Sequence, residues 1–572
     1  MSSNRYRVAF GKSFSHCVFA GLFLAGSRAT ALDFQVTVDA RQPLRSIDAR
    51  VFGVNTAVWD PEFDTATTLS LLRESEMQAL RFPGGSTADD YHFASNTSGS
   101  NVWTWTTSFD RFAHIATNIA AQVFITVNYG SGTALEASNW VYYANKTKGY
   151  RFKNWEIGNE NYGTWEHDTN ARPNDAFTYA NRAKSFITAM KGADPTIRVG
   201  VPVSPGEDSF SNGYSDHPAL NPRTRSKHNG WTPVLLSTLK SIGVTPDFLI
   251  HHRYPQEPGQ ESDAGLLTST TRWSSDATDL RRQLTDYLGA EGTKVELMCT
   301  ENNSVSYNPG KQTTSLINAL YLLDSTGQLL KTEFRSLIWW DFRNSDESNN
   351  NEASLYGWRD YGDYGMISRR GERHPSFYAA KLLKNFARGG DVILTSASSP
   401  IGGIGSLLSV YAARRTHGTL TLLVINKSAS SPSTASIELQ GFVPDTSAVL
   451  YRYGIPQDEA ARTHAGLTDV SETPRAGVSS AFAETFPPLS ATVIVFSPAG
   501  ARLSVPADQD AAGPLRIGAT GQPGAPYRLE RSNNLIQWTT VSTNQSSTGQ
   551  FEFLDASSPR GAQRFYRAIW QP

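Results

Sequence analysis

Between residues 50 and 388 this sequence alternates short apolar runs with longer amphipathic ones, eight times in succession, and few folds can absorb that order. The apolar runs are 51–54, 80–82, 123–128, 152–157, 197–203, 247–252, 294–300 and 336–340. They are rich in Val, Ile, Phe and Trp, the composition of strands covered on both faces. Between and after them lie helix-like segments at 67–78, 109–121, 134–145, 175–191, 233–242, 276–288, 314–323 and 375–386. Phe177, Ala180, Lys184, Ile187 and Met190 show the helical spacing, with the stem of Lys184 at the edge of the stripe. Eight such pairs in unbroken order predict a (β/α)8 TIM barrel over residues 46–388. A doubly wound open sheet is the competing arrangement, but it does not usually need eight repeats.

Beyond the barrel the pattern changes. Runs at 392–395, 409–412, 419–425, 436–439, 448–453 and 491–496 are strand-like, separated by Ser, Pro and Gly turns with no helix of length between them. They predict an all-β sandwich over 389–499. An N-terminal strand over 32–45, with its apolar run at 34–38, precedes the barrel and is free to join that sandwich. A linker at 500–513, rich in Ala, Pro and Asp, leads to a small C-terminal β domain at 514–572. Its runs at 527–531, 538–541, 551–554 and 564–569 suggest a fibronectin-like module.

Residues 1–31 read as a signal peptide. Arg5, Arg7 and Lys12 form a basic start, 17–25 is apolar, and Ala29-Thr30-Ala31 is a small-x-small cleavage site. The apolar run is shorter than the ~20 residues a membrane span needs, so the expectation is a secreted or periplasmic protein with no membrane contact after cleavage. Cleavage would remove Cys17 and leave Cys299, so no internal disulfide can form and stability must come from the core. Cys299 lies two residues before Glu301 in a strand; alternation would put both on one side, with Cys299 a small filler beneath the glutamate or, alternatively, a catalytic thiol.

With 52 basic and 53 acidic residues the formal net charge is −1, which gives no electrostatic footprint for nucleic acid. No Cys or His cluster has metal-ligand spacing and no glycine-rich loop suggests a phosphate site, so neither a metal nor another cofactor is expected.

Glu160, in Trp155-Glu156-Ile157-Gly158-Asn159-Glu160, and Glu301, in Cys299-Thr300-Glu301-Asn302-Asn303, each end a strand-like run, the fourth and the seventh. In a barrel those strand ends open onto one rim. Two carboxylates on one rim are what glycosidic bond cleavage needs: one protonates the leaving oxygen while the other attacks or activates water. The acid must hold its proton near neutral pH, so its site is expected to raise its pKa.

The segments Arg81-Phe82-Pro83-Gly84-Gly85-Ser86, Asn128-Tyr129-Gly130-Ser131-Gly132, Ala137-Ser138-Asn139-Trp140-Val141 and Trp155 to Glu160 resemble α-L-arabinofuranosidases, members of the large clan of retaining glycosidases on (β/α)8 barrels. The resemblance covers about residues 46–388. It implies Glu160 as general acid/base and Glu301 as nucleophile. It further implies that Asn159 bonds the 2-hydroxyl of the sugar and that His252-Arg253-Tyr254 matches the family's His-x-Tyr. Tyr254 would then hold Glu301, and His252 the acid/base side. Arg81 is read as the cation beside the nucleophile or as a salt-bridge partner of Glu156. Asn55 and Asn128, at the ends of the first and third strands, are candidates for sugar hydroxyls. The family's acidic residue near Asn55 is missing. Trp340 is the candidate floor of the site, with Trp103 and Trp105 at its rim.

The resulting expectation is a secreted, metal-independent, retaining glycoside hydrolase that removes terminal α-L-arabinofuranosyl residues from plant-type oligo- or polysaccharides. The alternatives are a β-xylosidase, β-glucuronidase or endo-glucanase on the same barrel, or a polysaccharide-binding protein without catalysis. Intact Glu160 and Glu301 argue against the last.

Overall fold

The computed structural model describes residues 32–99, 101–103, 106–346, 354–401, 407–509, 513–556 and 563–571. The expected leader and Trp105 lie outside them. Among the described residues no helix is long and apolar enough to cross a membrane.

Eight parallel strands close into a barrel: Gly53–Asn55, Ala79–Phe82, Gln122–Val127, Asn154–Ile157, Arg198–Pro202, Phe248–Arg253, Glu296–Asn302 and Leu337–Trp339. The open-sheet alternative is therefore excluded. Inside the barrel Ala79, Phe124, Phe248, Ile250, Met298 and Ile338 form a small apolar plug. Outside, a much larger cluster joins the opposite faces of the strands to the helices, with Trp140, Trp155, Trp231, Trp273 and Trp339 fully buried in it. Several helix starts follow capping chemistry. Thr133 caps Ala134–Tyr142 through the amide of Glu136 at 3.1 Å, and Asp175 caps Ala176–Ala193 through that of Thr178 at 3.2 Å.

The sandwich is one nine-stranded sheet wrapped around its own apolar core. The N-terminal strand Leu32–Ser46 sits inside it, antiparallel to Val392–Pro400 and parallel to Ser433–Gln440. The reverse face continues the barrel cluster through Tyr411, Leu423, Ile425, Tyr453 and Val493, so barrel and sandwich share a core. One helix interrupts the strands where none was expected, Ile455–Thr463. Pro456 reads as a turn residue, yet the first turn of a helix tolerates proline because its N–H would be unpaired there.

The C-terminal residues form two three-stranded sheets around Ile517, Tyr527, Leu529 and Phe553. Arg502–Ser504, inside the expected linker, is a strand of the first of these sheets, paired with Leu515–Thr520. This unit is not a loose tether. The Gln522 amide bonds both backbone groups of Val443, accepting from its N–H at 2.9 Å and donating to its carbonyl at 2.6 Å. The Trp570 ring fills the space beside Gly418, where even a Cβ would lie 2.0 Å from it.

Candidate active site

The C-terminal ends of the barrel strands surround a cavity of about 890 Å3. Glu160, Asn159, His252, Tyr254, Glu301 and Trp340 all line it. The fourth strand delivers Glu160 through a tight exit, with Gly158 at φ 70° and Glu160 at φ 41°. A left-handed glutamate is a strained choice of the kind that clusters at functional sites, held here because the flanking Asn159 is fixed at three points.

Those three points define the wall. The Asn159 Oδ1 accepts from Arg81 Nη2 at 2.8 Å, its Nδ2 donates to Glu166 Oε1 at 2.9 Å, and its backbone N–H donates to Asp89 Oδ2 at 3.0 Å. Asp89 also accepts from the Asn161 side chain at 2.9 Å. Burial pushes the Asp89 carboxyl up to about 8 against these donors.

Glu301 arrives on the seventh strand by way of a bulge. His251 pairs with Cys299 but His252 pairs with Glu301, so Thr300 is an extra residue. The bulge breaks the alternation that would have put Cys299 and Glu301 on one side. Cys299 instead packs in the outer cluster among the helices, and its thiol donates to the Glu301 carbonyl at 3.2 Å. Burial pushes that thiol up, which makes it a poor nucleophile.

Arg81 reaches both of its expected partners, Glu156 and Glu301, at once. Its Nε donates to Glu156 at 2.7 Å, while Nη1 donates to Glu301 Oε1 at 2.6 Å and to Asn55 Oδ1 at 3.1 Å. The second oxygen of Glu301 accepts from the Tyr254 hydroxyl at 2.7 Å. Donors on both oxygens orient this carboxylate and balance its charge. On the other side His252 Nδ1 lies 2.8 Å from Glu160 Oε1 and its Nε2 lies 3.0 Å from Thr300 Oγ1. His251 faces away, edge-on to Trp273 and tilted against Phe334.

Burial raises the Glu160 pKa, but donation from His252, Trp165 and Tyr162 outweighs it, and the carboxyl sits below its ordinary value. This is the reverse of the expectation from sequence, because burial is outweighed by three donors that only the fold brings in.

Asn55 and Asn128 do not line the cavity. Asn55 is locked beneath Arg81, its amide donating to the Thr300 carbonyl at 2.9 Å. Asn128 caps its own loop, accepting from the amides of Ser131 and Gly132 at 2.9 Å each. Both are polar parts of the frame. Trp103 packs against the barrel core instead of the rim. Trp340 does form a wall, and it explains the paired glycines of Phe-Pro-Gly-Gly. Gly85 has φ 44°, and a Cβ there would lie 2.8 Å from the Trp340 ring. Gly84, at φ 122°, is pressed by Trp59 in the same way. Gly130 serves the neighbouring motif: a Cβ would meet the carbonyl oxygens of His167 at 2.0 Å and Asp89 at 2.5 Å.

Sequence reasoning missed Tyr162, Trp165, Glu166, Phe210 and the 306–309 loop. Trp165 Nε1 donates to Glu160 Oε2 at 3.1 Å, and its ring is 59% exposed at the cavity mouth. Tyr162, Trp165 and Glu166 stand within six residues of Glu160 in the chain, so closeness in sequence was the available signal. Phe210 and the 306–309 loop come from long connections after the fifth and seventh strands, where the sequence carries no regular pattern.

No family profile matches the chain. It is 25% identical over 180 residues to the probable α-L-arabinofuranosidase C of Aspergillus niger, covering 27% of this chain and 35% of that protein. It is 24% identical over 210 residues to the intracellular exo-α-(1→5)-L-arabinofuranosidase 1 of Bacillus subtilis, covering 29% and 41%. The chain thus spans roughly a third of the length of the curated relatives it matches. Among solved structures, the α-L-arabinofuranosidase of Thermotoga maritima in its arabinose complex superposes with a TM-score of 0.61 at 18% identity, over 81% of this chain and 99% of that one. The family 51 arabinofuranosidase of Xanthomonas axonopodis pv. citri gives 0.61 at 16%, over 82% and 100%. A family 44 xyloglucanase of Paenibacillus polymyxa gives 0.59 at 16%, over 82% and 100%. The chain is thus similar over part of its sequence to α-L-arabinofuranosidases and shares its fold with solved glycoside hydrolases of families 51 and 44.

Proposed function

We propose that this chain is an exported, retaining glycoside hydrolase that removes terminal α-L-arabinofuranosyl groups from plant-type polysaccharides. The observation that carries the reading is the facing pair of carboxylates: an oxygen of Glu160 and one of Glu301 lie within 4.8 Å of each other, with His252 between them. Oxygens that near each other are compatible with the ~5–5.5 Å carboxyl separation of retaining sites.

In this reading Glu301, oriented by Arg81 and Tyr254, attacks the anomeric carbon while Glu160, in the protonated form the reaction requires, hands its proton to the departing oxygen. A glycosyl ester on Glu301 results. Glu160, now a carboxylate, takes a proton from water as that water attacks the anomeric carbon and frees Glu301. His252 lies against Glu160 throughout and steadies its position. The side chains of Glu160, His252 and Glu301 could in principle ligate a metal ion, since their ligand atoms lie within 4.8 Å of one another. The buried Arg81 cation and the Tyr254 hydroxyl already occupy both Glu301 oxygens, which supports the metal-independent route.

The choice of arabinofuranose rests on the Phe-Pro-Gly-Gly and Asn-Tyr-Gly-Ser-Gly motifs and on the named relatives. A second reading, an endo-acting glucanase, draws on the size of the cavity. About 890 Å3 with Trp165 and Tyr307 exposed at its mouth has room for more than one sugar ring. A panel of nitrophenyl glycosides tests both. Nitrophenyl α-L-arabinofuranoside should be turned over best, and arabinan or arabinoxylan should release free arabinose; oligomers as first products would establish the second reading. Proton NMR of the first-formed sugar should show retained configuration. Glu301→Gln should abolish turnover, and azide should rescue Glu160→Ala with a glycosyl azide of retained configuration. Export is tested by N-terminal sequencing of protein from the medium or periplasm, which should begin near Leu32.

A further inference from the structure

Glu166 has no part in the chemistry described so far, yet it is an unusual carboxyl beside the site. It is buried, and its Oε1 accepts two hydrogen bonds, from Asn159 Nδ2 at 2.9 Å and from Ser86 Oγ at 2.8 Å. Its Oε2 is also buried and has no hydrogen-bond partner among the described residues. Both donors belong to the cavity wall. Asn159 is the amide through which Arg81 is linked to the acid/base side, and Ser86 closes the Phe-Pro-Gly-Gly turn beneath Trp340.

An amide such as Asn159 can sit in two flipped orientations, and only one offers its oxygen to Arg81. Arg81, which can only donate, and Glu166 select that one together, because the Glu166 Oε1 that accepts from Ser86 also presents an acceptor to the NH2 end of the amide. The same oxygen turns the Ser86 hydroxyl proton inward and leaves the Ser86 lone pairs toward the cavity. We propose that Glu166 is a positioning residue for the glycosidase reaction, setting the Asn159 amide and the Ser86 hydroxyl in the orientation that receives the hydroxyl groups of the bound sugar. This rests on the glycosidase reading above.

The charge state fits the geometry. Burial, together with the negative charges of Asp89 and Glu160 beside it, pushes Glu166 up to about 9, so it holds a proton at neutral pH. A neutral carboxyl can leave one oxygen unpartnered in a dry site at far lower cost than a carboxylate could. Glutamine has the shape and charge of that neutral acid. Its amide oxygen can accept from Asn159 and Ser86 while its NH2 takes the place of Oε2.

The test compares Glu166→Ala, Glu166→Gln and the unaltered protein on the nitrophenyl glycoside it turns over best and on the 2-deoxy counterpart of that substrate. Glu166→Ala should lower kcat/KM about 30-fold on the first, the scale of one lost hydrogen bond to an oriented polar group, and reduce the preference for the 2-hydroxyl about tenfold. Glu166→Gln should restore both to within about threefold, as only an isostere of the neutral acid would. A purely structural role would lower activity on the two substrates alike and leave their ratio unchanged. An unchanged ratio in Glu166→Ala overturns the proposal, and so does a Glu166→Gln ratio as low as that of alanine. If Glu166→Ala does not fold, Glu166→Asp, which draws the carboxyl back by one methylene, reads the same ratio. Activity on no glycoside at all would instead sink the glycosidase reading, which keeps the two failures apart.

Discussion

Removing Arg81 should separate what this residue does for stability from what it does for turnover. The side chain is 1% exposed and joins four groups: Glu156, Glu301, Asn55 and Asn159. Arg81→Met keeps most of the volume and removes every donor. Glu156, wholly buried, would keep only the Thr126 hydroxyl at 3.0 Å, and breaking a buried ion pair by removing one partner costs about 3–5 kcal/mol. Glu301 would keep Tyr254 but lose its cation, and Asn159 would lose the partner of its amide oxygen. Two such bonds at about 1.5–3 kcal/mol each amount to a fall in kcat/KM of roughly 10^2- to 10^4-fold. Urea unfolding followed by tryptophan fluorescence, with kinetics on an aryl glycoside, measures both. The discriminating step is the double variant. Glu156→Gln placed on Arg81→Met removes the stranded charge, so it should recover about 1–3 kcal/mol of stability while leaving turnover low. An Arg81→Met protein within about 1 kcal/mol of the parent, or one whose activity returns with Glu156→Gln, would refute the assignment of this residue to both jobs.

His252→Ala removes the strongest donor holding Glu160 below its ordinary value, while the burial that raises it remains. Glu160 should therefore keep its proton to higher pH, and the alkaline limb of the kcat/KM profile should move up; a limb that stays or moves down contradicts the pairing. Gly85→Ala forces a Cβ to 2.8 Å from the Trp340 ring at a left-handed φ, so it should cost on the order of 1–3 kcal/mol and raise KM, as read by thermal melting and kinetics; an unchanged KM would mean Trp340 does not touch substrate. A chain ending at Ala499 should still hydrolyse small aryl glycosides, since no described residue of the C-terminal sheets lines the cavity. It should nevertheless melt earlier, because Val443 loses both bonds to Gln522 and Gly418 loses the cover of Trp570. Loss of small-substrate turnover would show that the C-terminal unit supports the barrel directly.

The sequence by itself determined the parts whose physics is local or periodic. Eight strand-helix alternations leave a barrel as the economical way to cover every strand on both faces, and Glu160 and Glu301 fall on one rim because every strand of a parallel barrel ends there. The period of two put His252 and Tyr254 together and His251 apart, and the structure has them so. Tertiary structure decided whatever depended on an irregularity or on contacts between distant segments. The bulge at Thr300 reversed the expected side of Cys299, since one inserted residue shifts a period-two pattern by one face. Asn55 and Asn128 read as free amides in the chain, but the barrel and a loop consume them. Arg81, which the sequence left between two partners, reaches both because a guanidinium has donors on three nitrogens and the fold places a carboxylate at each side. The direction of the Glu160 shift was equally invisible, because it is a balance between burial and three donors lying 2, 5 and 92 residues away in the chain. Composition and period fix which segments become walls; only the closed barrel fixes which polar groups face one another across them.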